Sequence, residues 1–139
     1  MKPFRPPPAL ATNGLMGLCV VVQLAGTLGG PTFAERLIWS FGLIPARISA
    51  SIAGFSDRGW AALTLFSHMF LHGGWLHLGL NLLFFAWVGR YVEWVTGRWA
   101  LIGVFLAGGL AGAALQIAVS PQSGVPVVGA SGAIAAVFG

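Results

Sequence analysis

Gly129-Ala130-Ser131-Gly132-Ala133-Ile134-Ala135-Ala136-Val137-Phe138-Gly139 sets one serine between small residues at the head of an apolar run. Pro126, Val127 and Val128 lead into it. The pattern predicts a helix that begins near Ser131, with the serine at or beside its N-cap. The first N–H groups of a helix have no helical partner and point toward any negative charge placed before them. Glycines on both sides allow another backbone or a substrate to approach the hydroxyl closely. Such a serine suits acyl transfer, with the hydroxyl as nucleophile and the helix start contributing to an oxyanion hole. A serine-capped helix packed through small residues would carry the same tetrapeptide, so the motif decides nothing alone.

Its companion lies upstream, in His72-Gly73-Gly74-Trp75-Leu76-His77-Leu78-Gly79-Leu80-Asn81. A helix places His77 and Asn81 on one face, a turn apart. Two polar side chains on one face of an otherwise apolar helix need a reason inside a membrane.

Composition states the environment. The chain has 139 residues, of which 57% are hydrophobic and only 7% charged. A soluble domain carries about 25% charged residues, so this is a membrane protein. Seven basic residues against three acidic ones give a net charge of +4, with no basic cluster or stripe to track phosphates, and nucleic acid is not an expected partner. Cys19 is the single cysteine and sits in an apolar run as a small hydrophobe.

Residues 1–9 read as a short basic tail kept out of a helix by Pro6, Pro7 and Pro8. Leu10 to Leu28 is free of charge and, at about 19 residues, long enough to span a bilayer. Gly29-Gly30-Pro31 ends it. Residues 29–70 mix charges with Leu, Ile, Phe and Trp and predict a long interfacial loop with short amphipathic helices, one of them over Leu37–Pro45. Further spans are predicted over 76–96 and 99–119, with a fourth starting at 131–139. Gly108-x-x-x-Gly112 is a close-packing pattern that suits contact with the second and fourth helices. Glu93 reads as part of a polar helix end stopped at Gly97 and balanced by Arg90 or Arg98. Lys2, Arg5, Arg90 and Arg98 place the N-terminus and the turn near residue 97 on the cytoplasmic side. His72, His77 and Ser131 then all lie toward the outer face.

His-x-x-x-x-His-x-x-x-Asn followed by Gly-x-Ser-Gly resembles the signature of the rhomboid intramembrane serine proteases. Phe41-Gly42-Leu43-Ile44-Pro45-Ala46-Arg47 is similar to the loop after the first helix in many bacterial rhomboids, and Gly89-x-x-x-Glu93-x-x-x-Gly97 also matches. The resemblance implies an all-α, polytopic transmembrane bundle in a bacterial inner membrane, acting on transmembrane protein substrates without a metal or other cofactor. It implies Ser131 as nucleophile, His77 and Asn81 as oxyanion-stabilising groups, and Gly129, Ala130 and Gly132 as the substrate-binding backbone. His72, Glu93 and Gly97 become structural residues, His72 by pinning the bend at Gly73-Gly74.

Two departures stand out. Trp60 is followed by Ala61 where many members carry Trp-Arg, and Ala135 stands where some carry a tyrosine. In the family the general base is a histidine on the sixth helix, whereas residues 131–139 begin the fourth. The chain is therefore expected to be a partial rhomboid-like domain, holding nucleophile and oxyanion groups without the base and not turning over by itself. His68 is expected at the surface. A metal held by His68, His72 and His77 would lack any accompanying carboxylate or thiol, so none is expected. The alternative functions are an inactive rhomboid-like protein that binds transmembrane helices, although such relatives usually lack the serine, and a small transporter. The latter would need more polar residues than Asn13, Gln23 and Gln116 supply.

Overall fold

The structure, a computed structural model, describes residues 7–55 and 57–139; the expected tail at 1–9 lies outside the described residues up to position 6. Helix α1 covers Leu10–Gly29 and α2 Pro31–Phe41, followed by α3 at Pro45–Ile52 and α4 at Arg58–Ser67. A single 3₁₀ turn, His68–Phe70, leads to α5 (Trp75–Thr96), α6 (Arg98–Val119) and α7 (Ser131–Phe138). The bundle is all-α, as the sequence predicts. Among the described residues the one β-bridge pairs Leu43 with Val127.

α1 and α6 are each long and apolar enough to cross a membrane. α5 carries His77, Asn81, Arg90 and Glu93, and it reaches the apolar content of a span only together with Arg58–Phe70, from which it departs at a 77° bend.

The segment expected as a long loop with short helices carries three of them, α2, α3 and α4, and little loop between. The element predicted over Leu37–Pro45 is two helices, with the break at Gly42-Leu43-Ile44. Proline is the reason: it fits the first turn of α3 but pushes the residue before it out of the helical region, and Ile44 sits at φ −112°, ψ 107°. Side-chain contacts tie the short helices together. Ser67 Oγ donates to the Phe41 carbonyl at 2.6 Å and Trp60 Nε1 to the Ser40 carbonyl at 2.9 Å. Trp60 also packs on Phe41 with ring centroids 5.2 Å apart, so α4 is fastened to α2 although Ala61, not an arginine, follows the tryptophan.

α1 and α5 are joined at Glu93. Its carboxylate accepts from the backbone N–H groups of Ala11 and Thr12, both at 2.8 Å, and from Thr12 Oγ at 2.7 Å. The balancing partner is therefore not Arg90 or Arg98, as the sequence had implied, but the N–H groups at the start of α1 that lack helical partners. An anion there meets both unsatisfied donors and the positive end of the helix dipole. Gly89, one turn back, keeps Thr12 and Phe85 close: a Cβ there would lie 3.0 Å from each.

The glycines of α6 meet the fourth span, α7, as expected, but not the second, α5. Gly108 and Gly112 face α7, and Gly109 faces Met69 of the 3₁₀ turn, whereas α5 meets α6 through Phe85 and Phe105, 5.3 Å apart. Met69, Leu101, Phe105, Ala133, Ile134 and Val137 close the main core around these contacts. A Cβ on Gly108 would collide with Ala136 Cβ and stand 3.2 Å from the Gly132 carbonyl oxygen, both fixed parts of α7. A Cβ on Gly109 would meet only the flexible end of Met69. Gly108→Ala should therefore lower the thermal midpoint in detergent by more than Gly109→Ala, at about 1–3 kcal/mol for the overpacked site. Ala136→Gly in the Gly108→Ala background should recover much of that loss.

Candidate active site

Two helix starts meet at one end of the bundle. The chain between α6 and α7 is tied to the rest of the fold by backbone hydrogen bonds. Leu43 and Val127 exchange N–H···O bonds of 3.0 and 2.7 Å, Ala46 N–H donates to the Ser123 carbonyl at 3.0 Å, and Gly129 N–H donates to the His68 carbonyl at 2.9 Å. These bonds set where α7 begins.

Gly129 is the pivot. Its φ of 120° lies where L side chains are rarely found. A Cβ there would stand 2.9 Å from both Cε1 and Nε2 of His77 and 3.7 Å from Asn81 Nδ2. Only a bare Cα lets the strand before Ser131 come so near the α5 side chains. The structure thus brings His77, Asn81 and Gly129 into contact, with Ser131 two residues further on.

The orientation of His77 follows from its other nitrogen. Gly73 N–H donates to His77 Nδ1 at 3.3 Å. An accepting ring nitrogen carries no proton, so the neutral imidazole holds its proton on Nε2, the atom that faces Gly129. Asn81 Nδ2 is buried and has no hydrogen-bond partner among the described residues. A buried, unpaired amide donor costs free energy unless a ligand or a reacting group answers it. Both α5 groups therefore present donors toward the start of α7.

Ser131 is exposed and is the first residue of α7, while Ala130 holds the N-cap position. The serine therefore does not cap the helix, and its hydroxyl is left to the cavity. That cavity measures about 150 Å³ and is lined by His68, Gln116, Val128, Gly129, Ser131 and Gly132, among others. Of the three backbone positions assigned to substrate, Gly129 and Gly132 face it. Ala130 is 3% exposed and packs into the core with Ile134 and Val137.

The remaining histidines sit differently from the sequence expectation. His68, expected at the surface, is 5% exposed, and its Nδ1 lies 3.0 Å from the Thr64 carbonyl. A carbonyl only accepts, so Nδ1 carries the proton there. His68 and Gln116 are the cavity residues that sequence reasoning missed; the one available signal was the one-turn spacing from Thr64 to His68 at a helix end. His72, expected to pin the Gly73-Gly74 bend, makes no ring-nitrogen hydrogen bond to the described residues. It packs instead behind His77, edge-on, with ring centroids 5.1 Å apart. Glu93 and Gly97 lie at the other end of α5; Gly97, at φ 89°, is the turn between α5 and α6.

The fold is that of a polytopic helical membrane protein, with a serine at a helix start two residues after a glycine that lies against a histidine–asparagine pair. Residues 59–139, more than half of the chain, match the family described as Rhomboid domain. The chain belongs to the rhomboid family of integral membrane proteins, whose members are generally intramembrane serine peptidases acting on transmembrane substrates. No curated protein matches the chain significantly.

Gly129→Ala should lower thermal stability by about 1–3 kcal/mol, through both the unfavourable φ and the collision with His77. Adding His77→Ala should restore part of the loss by opening the space the new methyl needs. Absence of any rescue in the double variant would show that His77 does not crowd Gly129.

Proposed function

We propose that this chain carries the nucleophile and the oxyanion-stabilising groups of an intramembrane serine endopeptidase that cuts transmembrane-helix substrates. The observation that carries the reading is the convergence of His77 Nε2 and the unpaired Asn81 amide on Gly129, two residues ahead of the exposed Ser131.

Ser131 Oγ attacks the scissile carbonyl carbon, and the carbonyl oxygen takes on negative charge in the tetrahedral intermediate. Three donors are placed to meet that charge. They are the Ser131 backbone N–H at the start of α7, His77 Nε2–H and the Asn81 amide. Preset donors act only when the charge develops, so they accelerate the reaction without tightening substrate binding. The hydroxyl proton passes to a general base other than His77, whose proton-free nitrogen is taken by Gly73 N–H. By Lys2, Arg5, Arg90 and Arg98, with the three arginines of the long segment 29–70 counting for less, the N-terminus is cytoplasmic and the site lies toward the outer face.

The test is made on the protein in its natural membrane, with cleavage of a transmembrane substrate normalised to folded enzyme. Ser131→Ala should abolish cleavage and leave the thermal midpoint unchanged. Asn81→Ala should reduce kcat by about 10²–10³ with little change in KM, since one donor of several is lost. If Asn81 were a packing residue, its alanine variant would melt earlier and turn over normally per folded molecule, and the oxyanion assignment would fall. Cleavage that persists in Ser131→Ala would remove the nucleophile assignment and favour a different hydrolytic centre.

A further inference from the structure

A second polar surface lies at the other end of the bundle, where α5 turns into α6 and the chain approaches α1. A cavity of about 380 Å³ opens there, lined by Pro8, Leu10, Arg90, Trp94, Arg98 and Glu93 among others. Glu93 is the acid in its wall, but that carboxylate is 8% exposed and already accepts three hydrogen bonds from Ala11 and Thr12. Its charge is answered by α1 and is not available to the arginines. Arg90 is exposed and donates to a neutral partner, Asn13 Oδ1, at 3.3 Å. Arg98 is exposed too and lies over the Trp99 ring at 5.3 Å. Among the described residues, then, two guanidinium groups share one cavity with no carboxylate paired to either.

The surroundings fix what kind of anion fits. Tyr91, Trp94 and Trp99 are 63%, 49% and 73% exposed beside the cavity, at the ends of two apolar helices. Exposed tyrosine and tryptophan at such a level mark the headgroup layer of a bilayer. A free cytosolic anion would have no use for this aromatic rim, whereas a lipid phosphate sits at that depth by construction. Guanidinium forks match phosphate oxygens in geometry as well as charge.

We propose that this cavity binds the headgroup of an anionic phospholipid, with Arg90 and Arg98 holding its phosphate and its acyl chains lying along α5 and α6. Occupancy would brace the α5–α6 turn against the start of α1, at the end of the bundle remote from Ser131. The proposal does not depend on the catalytic reading.

The test uses the purified chain in nanodiscs of mixed phosphatidylglycerol and phosphatidylcholine, transferred to mild detergent, with retained lipid counted by native mass spectrometry. Phosphatidylglycerol should be retained in preference to phosphatidylcholine. Arg90→Gln and Arg98→Gln should each weaken that preference about fivefold, and the pair ~25-fold. Arg90→Lys with Arg98→Lys, which keeps the charge but loses the fork, should fall between the unsubstituted chain and the Gln pair, while Arg36→Gln at the opposite end should leave the preference intact. Equal retention of the two lipids, or an Arg36→Gln loss as large as that of the Arg90/Arg98 pair, would overturn the site. Displacement of the bound phosphatidylglycerol by millimolar inorganic phosphate would overturn the lipid assignment in favour of a free-phosphate site.

Discussion

The close approach of Gly129 to His77 is the constraint on which the site depends. Three elements meet there: the 3₁₀ turn through the His68 carbonyl, α5 through His77 and Asn81, and α7 through the chain that leads to Ser131. A side chain at position 129 would separate them. The approach is possible because the backbone takes a conformation that glycine tolerates and because the connection from α6 is pinned to Leu43 and Ala46. The proposed function rests on a backbone approach, with side chains arranged around it.

The rest of the bundle holds that contact from both sides. Glu93 locks α1 to the far end of α5, so that α5 cannot slide along its axis. Gly108 lets α7 lie against α6 at a distance no larger residue permits, and Gly112 faces Gly132 across the same seam. In a membrane this matters more than in water, because lipid supplies no hydrophobic force to press helices together and close packing must do it. Charged and small residues thus fix the relative positions of α1, α5, α6 and α7, and the donors on α5 inherit their aim from that frame.

The all-α class was legible in the sequence because a scarcity of charge and a charge-free run after Leu10 leave few other folds open. Ser131 and the His77/Asn81 pair were legible as residues because polar groups on apolar helices stand out. Their mutual placement was not, since it depends on a turn at Gly129 and on pairing between residues as distant as Leu43 and Val127. Glu93 was misread for the same reason: its neighbours in sequence are arginines, yet its partners lie some eighty positions away, at the start of α1. The break in Leu37–Pro45 could have been found, as proline disfavours a helix before it. The burial of His68 left only one faint signal, the one-turn spacing from Thr64, because an amphipathic interfacial stretch gives a histidine little distinguishing pattern.

The proton on His77 offers the most direct check on the central claim that α5 presents donors to the start of α7. Nitrogen-15 NMR of the histidine-labelled protein at neutral pH distinguishes a protonated from an unprotonated ring nitrogen, and a His77→Gln spectrum assigns the signal. The account predicts a proton-bearing Nε2 and an unprotonated, hydrogen-bond-accepting Nδ1 for His77. A neutral ring with its proton on Nδ1 would leave Nε2 able only to accept, and would contradict the assignment of His77 as an oxyanion donor.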